Sequence, residues 1–234
     1  LNEKQAVGEK AVEFVKKDMV VGLGTGSTVF YTLSLLGKLV QQGLSIKGIP
    51  TSVQTEKLAK ELNIPLTSFD EIDQIDIAID GADEVSGSLD LIKGGGGALL
   101  REKIVAKAAK KLIIVADSTK LVDQLGSFPL PVEIVPFVMK ATKRHIQKLG
   151  IHPELRMANG APFITDNGNY ILDCACPKIL APNELENNLN MIPGVVDNGL
   201  FIGMADMVIT VDKNKEVILR ERKQHNSSME KACE

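Results

Sequence analysis

Met19-Val-Val-Gly-Leu-Gly-Thr-Gly-Ser-Thr28 passes from a short apolar strand straight into a turn of alternating glycines and hydroxyls. Val29 to Val40 follows, mostly apolar and long enough for a buried helix. The same alternation repeats outward from this segment. Upstream, Asn2 to Lys17 reads as an amphipathic helix capped by Asn2, with Gln5 at the third helical position. Downstream, Ile46 to Ile49 reads as strand and Gln54 to Leu62 as helix, and Ile75 to Ile79 and Leu89 to Ile92 as strands. Ala98 to about Lys111 is a further helix, and Leu112 to Ala116 a fully apolar strand. This spacing predicts an α/β fold with an open, mainly parallel, doubly wound sheet covered on both faces.

The rhythm changes at Phe128-Pro-Leu-Pro131. A strand (Val132 to Val135), a helix (Val138 to Leu149) and a strand (about Glu154 to Ala158) follow. A hairpin is expected next, pairing Phe163-Ile-Thr165 with Tyr170-Ile-Leu172 across Asp166-Asn-Gly-Asn169. A helix from Asn183 to Met191 and a strand near Leu200 to Ile202 complete a smaller α+β, ferredoxin-like lid domain. Ala205 to Val211 returns to the first unit. The expected division is 1–127 plus 205–220 for the α/β domain, 128–204 for the lid, and a polar, loosely ordered tail over 221–234.

Composition narrows the function. The 234 residues are 44% hydrophobic and 24% charged, which excludes a disordered chain. A net charge of −3 argues against a nucleic-acid partner, which requires a basic surface. No apolar run approaches the ~18 residues that span a bilayer, and no signal peptide is visible, so no membrane partner is expected. Cys174, Cys176 and Cys233 are too few for a disulfide framework, and no second Cys/His pair accompanies Cys174-Ala-Cys176 as a metal site would require. Free thiols fit a reducing, cytoplasmic compartment. With Leu1 in place of an initiator Met, a short preceding segment is expected.

Three loops carry chemistry. Gly24-Thr-Gly-Ser-Thr28, between strand and helix, offers close backbone approach, hydroxyl donors and helical N–H groups to an anion; its structural alternative is a hydroxyl-capped tight turn. Ser27 stands where a dinucleotide fingerprint needs its third glycine, no acid follows the second strand, and no Gly-Lys-Ser/Thr occurs. A single phosphate therefore suits this loop better than a nucleotide. Asp80-Gly-Ala-Asp-Glu84 ends a strand; its acids either bind sugar hydroxyls and shuttle protons or form an Asx-type turn with Asp83 or Glu84 facing water. Lys93 precedes four glycines, an arrangement costly to order and suited to backbone approaching a ligand. Glu102, between Arg101 and Lys103, reads locally as a solvated helix acid, and Lys120 as a surface lysine.

Taken in order, Gly24-Thr-Gly-Ser-Thr28, Thr51-Ser-Val-Gln-Thr55, Asp80-Gly-Ala-Asp-Glu84, Lys93-Gly-Gly-Gly-Gly-Ala98 with Arg101-Glu-Lys103, and Asp117-Ser-Thr-Lys120 closely resemble the type A ribose-5-phosphate isomerase family. The likeness continues through Phe128-Pro-Leu-Pro-Val-Glu133, Thr165-Asp-Asn-Gly-Asn169, Ile192-Pro-Gly-Val195 and Gly199-Leu-Phe201. It implies interconversion of D-ribose 5-phosphate and D-ribulose 5-phosphate through an enediolate, within the non-oxidative pentose phosphate pathway, without metal or organic cofactor. It implies Glu102 as the base and Lys93, with the N–H groups of Gly94, Gly95 and Gly96, as the oxyanion stabiliser. Asp80 and Asp83 become the candidates for the acid/base pair that opens the sugar ring, the division of labour between them left open, with Gly81 and Ala82 between them at the substrate. Thr25, Gly26, Ser27 and Thr28 hold the phosphate, Lys4 lies near it, and Lys120 binds substrate. A homodimer or homotetramer is also implied.

Two neighbouring functions fit less well. An amino-sugar-phosphate isomerase/deaminase calls for a histidine near its base, and none lies between Leu1 and Arg144. A sugar-sensing regulator needs an N-terminal helix-turn-helix, whereas only about twenty residues precede the Gly24 loop.

Overall fold

The computed structural model describes residues 2–176 and 178–222. The chain begins with α1 (Glu3–Val12), β1 (Val20–Leu23), α2 (Val29–Gln41), β2 (Lys47–Pro50), α3 (Val53–Glu61) and β3 (Ile77–Asp80). A small hairpin, β4 (Glu84–Val85) and β5 (Leu91–Ile92), leads to α4 (Leu99–Ala108) and β6 (Leu112–Val115). The smaller unit contains β7 (Leu130–Ile134), α5 (Met139–Gln147), β8 (His152–Leu155), β9 (Met157–Ala158), β10 (Ala161–Pro162), β11 (Tyr170–Ala175), α6 (Pro182–Asn190) and β12 (Val195–Asn198). β13 (Leu200–Phe201), β14 (Met207–Val211) and β15 (Val217–Glu221) close the fold.

The main sheet has the order β15-β14-β6-β3-β1-β2 and is parallel except for the edge strand β15. Its strands read as continuous apolar runs because both faces are covered. Ile77 and Ile79 enter one core with α1 and α2, while Ala78 between them enters the other with Val105 of α4. Strand order reverses between β1 and β3, with β2 on one side and β3 on the other, so a crevice opens beyond their C-terminal ends. The predicted α/β class and doubly wound sheet are what the structure has. Helix α1 stops short of the expected Lys17, because the chain reverses through Asp18 (φ 64°) to enter β1.

The second sheet, β12-β7-β11-β8, is antiparallel and carries α5 and α6 in a βαββαβ order, as a ferredoxin-like unit should. Its pairing corrects the expected hairpin. Tyr170–Ala175 pairs with β7 and β8, not with Phe163–Thr165. The Asp166–Asn169 turn does form, closed by Thr165 N–H to Asn169 carbonyl at 2.9 Å, and the short hairpin lies at Ala158-Asn-Gly-Ala161 instead. The strand completing this sheet is β12, whose polar Asp197 and Asn198 concealed it; Leu200–Phe201 pairs with β5 instead. The chain past Arg220 also differs from expectation, since β15 runs to Glu221 and Arg222 bonds the Ala205 and Leu89 carbonyls. The rest of the expected tail, with His225 and Cys233, lies outside the described residues.

Glu84 shows how the units join. Far from facing water, it is 3% exposed and accepts the N–H groups of Gly126 (2.7 Å) and Phe128 (2.5 Å). Charged acceptors on buried N–H donors make strong bonds, and removing one strands its partners. Glu84→Ala is expected to cost about 2–5 kcal/mol of unfolding free energy in a urea titration; a loss below about 0.5 kcal/mol would show that the segment re-pairs elsewhere.

Candidate active site

Four chain segments meet at the C-terminal edge of the main sheet. Asp80 ends β3, and the Gly24–Thr28 turn follows β1. Lys93 follows β5, and Asp117–Lys120 follows β6. Asp80 is buried with its Oδ1 accepting the N–H groups of Gly81 (2.7 Å) and Thr25 (3.1 Å). Gly24 permits this, since a Cβ there would overlap the Asp80 carboxylate. Asp80 Oδ2 lies 3.2 Å from Lys93 Nζ, which donates to the Gly81 carbonyl (2.5 Å) and stands 3.4 Å from Glu102 Oε1. The Phe201 ring lies 5.4 Å from the same ammonium.

Glu102 is only 6% exposed, so the local reading of a solvated acid fails. It shares the inner face of α4 with Leu99 and Val105, three residues to either side; that spacing was the available signal. Its Oε2 has no hydrogen-bond partner among the described residues. Burial, followed by the charge of Asp80, pushes the Glu102 carboxyl up to about 8. Burial raises Asp80 as well. Two N–H donors and the ammonium satisfy the Asp80 carboxylate, whereas Glu102 Oε2 has no hydrogen-bond partner among the described residues. Burial works against the Lys93 ammonium, but Asp80 and Glu102 outweigh it and hold its pKa above the ordinary lysine value.

Asp83 Oδ2 accepts the Gly95 N–H at 2.7 Å, joining the acidic turn to the glycine loop. On the other side, Ser27 Oγ accepts from Lys4 Nζ at 2.9 Å. Thr28, the N-cap of α2, makes no side-chain capping bond, and the Phe30 and Tyr31 N–H groups go to the Gly26 (3.0 Å) and Thr28 (3.2 Å) carbonyls, so an anion here would meet the N–H groups that precede Phe30. Thr25 Oγ1 turns away into a hydroxyl cluster with Thr51 (2.8 Å), Ser52 (2.8 Å) and Thr55 (2.9 Å). Thr55 in turn donates to the Gly24 carbonyl. Lys120 ends a 3-10 turn that Glu3 ties to α1 through the Ser118 N–H and hydroxyl.

Together residues 25–28, 81–83, 93–96, Glu102 and Lys120 line a cleft of about 530 Å³, its open mouth included. Of the residues expected at the substrate, Asp80 and Lys4 alone do not line it. Asp80 lies behind Lys93, and Lys4 stands outside Ser27. Sequence reasoning did not assign roles to Thr51, Ser52 and Thr55, which brace the phosphate-loop candidate, nor to Arg156 and Phe163, which touch the glycine loop from the smaller unit. The hydroxyl contacts span 26 to 31 residues and the Arg156 contacts 61 and 62, separations that leave no local signal.

A family model described as Ribose 5-phosphate isomerase A (phosphoriboisomerase A) matches residues 47–215. A ribose-5-phosphate isomerase A of Bacillus mycoides (strain KBAB4) is 58% identical over 215 residues, covering 92% of this chain and 97% of that one. A solved D-ribose-5-phosphate isomerase in complex with phospho-erythronic acid superposes with a TM-score of 0.91 at 43% identity, covering 95% of this chain and 100% of that one. The ribose 5-phosphate isomerase A structure from Methanocaldococcus jannaschii gives 0.89 at 42% identity, covering 93% and 97%.

The buried acid has a consequence for stability. Because the folded pKa of Glu102 lies above its ordinary value of 4.5, the folded chain binds this proton more tightly than the unfolded chain. Its contribution to stability therefore falls as pH rises from 4.5 towards 8. Glu102→Gln, which never ionises, is expected to melt higher than the parent at pH 8, by several degrees for a gain of a few kcal/mol. The gap should close towards pH 5; a gap that widens on acidification would contradict the assignment.

Proposed function

The chain belongs to the ribose 5-phosphate isomerase A family, and on that premise we propose how its cleft interconverts D-ribose 5-phosphate and D-ribulose 5-phosphate. The substrate phosphate rests on Gly26, Ser27 and Thr28 at the N-terminus of α2, with Lys4 behind Ser27. Thr25 contributes backbone while its hydroxyl braces the loop. Asp83, which lines the cleft, serves as the acid/base that opens the sugar ring. Asp80 acts through Lys93 by fixing its ammonium.

On the open-chain aldose, Glu102 removes the proton from C2 as negative charge develops on O1. Lys93 and the N–H groups of Gly94 and Gly96 stabilise that charge, the Gly95 N–H being held by Asp83, and no metal is needed for it. Glu102 then returns its proton to C1 while the O2 proton moves to O1, giving the ketose. The observation that carries this reading is Glu102 itself. It is a buried carboxylate on the cleft, with Lys93 on one oxygen and no protein partner on the other among the described residues.

Self-association as a homodimer or homotetramer belongs to the same reading. It is supported by Phe137, Leu180 and Met191, apolar side chains more than 80% exposed in the smaller unit. That unit, 128–204, serves as the lid over the 1–127 plus 205–220 unit. The free thiols of Cys174 and Cys176 support a cytoplasmic location.

Ketose formation from ribose 5-phosphate is expected to proceed unchanged in EDTA; loss of turnover to the chelator would overturn the metal-free reading. Glu102→Gln is expected to lower kcat at least about a thousandfold with KM retained, in keeping with the ~10²–10⁴ that a general base contributes. A variant near the parent rate would place the base elsewhere. Since the base works ionised, kcat/KM should rise with pH through about 8. A profile already flat from about pH 6 would contradict a proton held on Glu102.

A further inference from the structure

We propose that Arg156, which does not line the cleft, is a positioning residue for the isomerisation, because it fixes the direction in which the glycine-loop peptides present their N–H groups. The proposal rests on reading Gly94–Gly96 as the oxyanion cradle.

Arg156 lies between β8 and β9 in the smaller unit. Its guanidinium grips the carboxylate of Asp173 on β11 with both forks, Nε to Oδ2 at 2.8 Å and Nη2 to Oδ1 at 2.5 Å. That grip aims the remaining nitrogen, Nη1, across to the main unit. There it donates to two consecutive carbonyls, Gly94 at 2.9 Å and Gly95 at 3.1 Å. The guanidinium carbon stands 5.7 Å from the centroid of the Phe163 ring, which fills the space a Cβ at Gly97 would need.

A trans peptide is planar, with its carbonyl and the following N–H pointing in opposite directions. Holding the Gly94 carbonyl towards Arg156 therefore turns the Gly95 N–H away from it, and that N–H indeed meets Asp83 Oδ2 at 2.7 Å. Holding the Gly95 carbonyl the same way turns the Gly96 N–H away from Arg156, and Gly96 lines the cleft. The loop has no side chains of its own to resist rotation; the Gly94 carbonyl is also held by the Gly97 N–H at 2.9 Å, so it is the Gly95–Gly96 peptide whose direction depends most on Arg156. The planar fork makes four bonds here, two to the carboxylate and two to the carbonyls; a lysine ammonium, with three donors on one atom, must give up at least one of them and the fixed geometry of the rest. Arg156 thus ties the direction of the cradle to the β11 edge of the smaller sheet.

The test uses the full chain with Arg156→Lys, which keeps the charge and loses the fork, and Asp173→Asn, which keeps the arginine and loosens its grip. Two inhibitors separate the ends of the site. Phospho-erythronate carries a carboxylate where the enediolate carries charge, whereas inorganic phosphate occupies only the Gly26–Thr28 end. Arg156→Lys is expected to lower kcat about 10–100-fold with KM within about twofold, the scale of a misdirected oxyanion donor. Phospho-erythronate inhibition should weaken alongside kcat/KM while phosphate inhibition holds. Asp173→Asn should shift the same quantities in the same direction by less, and it serves as the measurement if Arg156→Lys melts below the assay temperature. An unchanged kcat in the folded variants, or phosphate and phospho-erythronate affinity falling together, would overturn the proposal and leave the pair as cement for the small sheet. Lys93→Ala, assayed alongside, separates the two levels. If it too leaves kcat intact, the cradle reading itself fails; if it is slow while Arg156→Lys is not, only the role of Arg156 fails.

Discussion

A lysine ammonium buried between two buried carboxylates is the constraint from which the rest of this site follows. Moving such charges out of water costs several kcal/mol each, and their mutual attraction repays it only when geometry is tight. Asp80, Lys93 and Glu102 come from the end of β3, the turn after β5 and α4, so the sheet, the small hairpin and α4 must be in place before the cluster can exist. The cluster holds one positive charge against two potential negative ones. Burial first, and then that imbalance, give Glu102 its high proton affinity. A carboxylate that holds its proton unusually tightly destabilises the ionised fold and suits a residue that must remove a proton from carbon. Stability and function pull in opposite directions at the same atom.

The glycines are the spatial counterpart of this charge arrangement. Gly24 lets the Asp80 carboxylate tuck under the β1 turn, and Gly95 lets Asp83 reach the backbone. At Gly199 a side chain would strike the Lys93 carbonyl, so β13 could not run beside the lysine. The glycines thus clear room for carboxylates, and the freedom they introduce is taken up from outside. Hydroxyls of Thr51, Ser52 and Thr55 hold the first loop, while Arg156 and Phe163 hold the second.

The two sheets are consequently coupled where the chemistry lies. Arg101, the neighbour of Glu102, bonds Asn167 and the Asp166 carbonyl, and Asp166 also accepts the Val53 N–H at the start of α3. Lys103, its other neighbour, reaches Asp197 and Glu186. Both charged flanks that made Glu102 look solvated are engaged by the smaller unit, and their engagement is what leaves the acid between them facing inward.

The sequence by itself determined the alternation of strand and helix, the two-sided burial of the parallel strands and the positions of the loops, because these follow from local periodicity and glycine placement. It also carried the family likeness, since the motifs are contiguous. Tertiary structure alone decided which strands of the smaller unit pair. Val195-Val-Asp-Asn198 is a strand by virtue of its neighbour β7, and Phe163–Thr165 is not one although its turn is correct. Tertiary structure likewise decided that Glu84 is a buried clamp, that Glu102 is a buried base and that Asp80 stands behind Lys93. Burial and charge pairing are properties of what surrounds a residue. For Asp80 and Glu84 the surroundings come from chain segments up to 55 residues away, a distance over which local pattern carries no information.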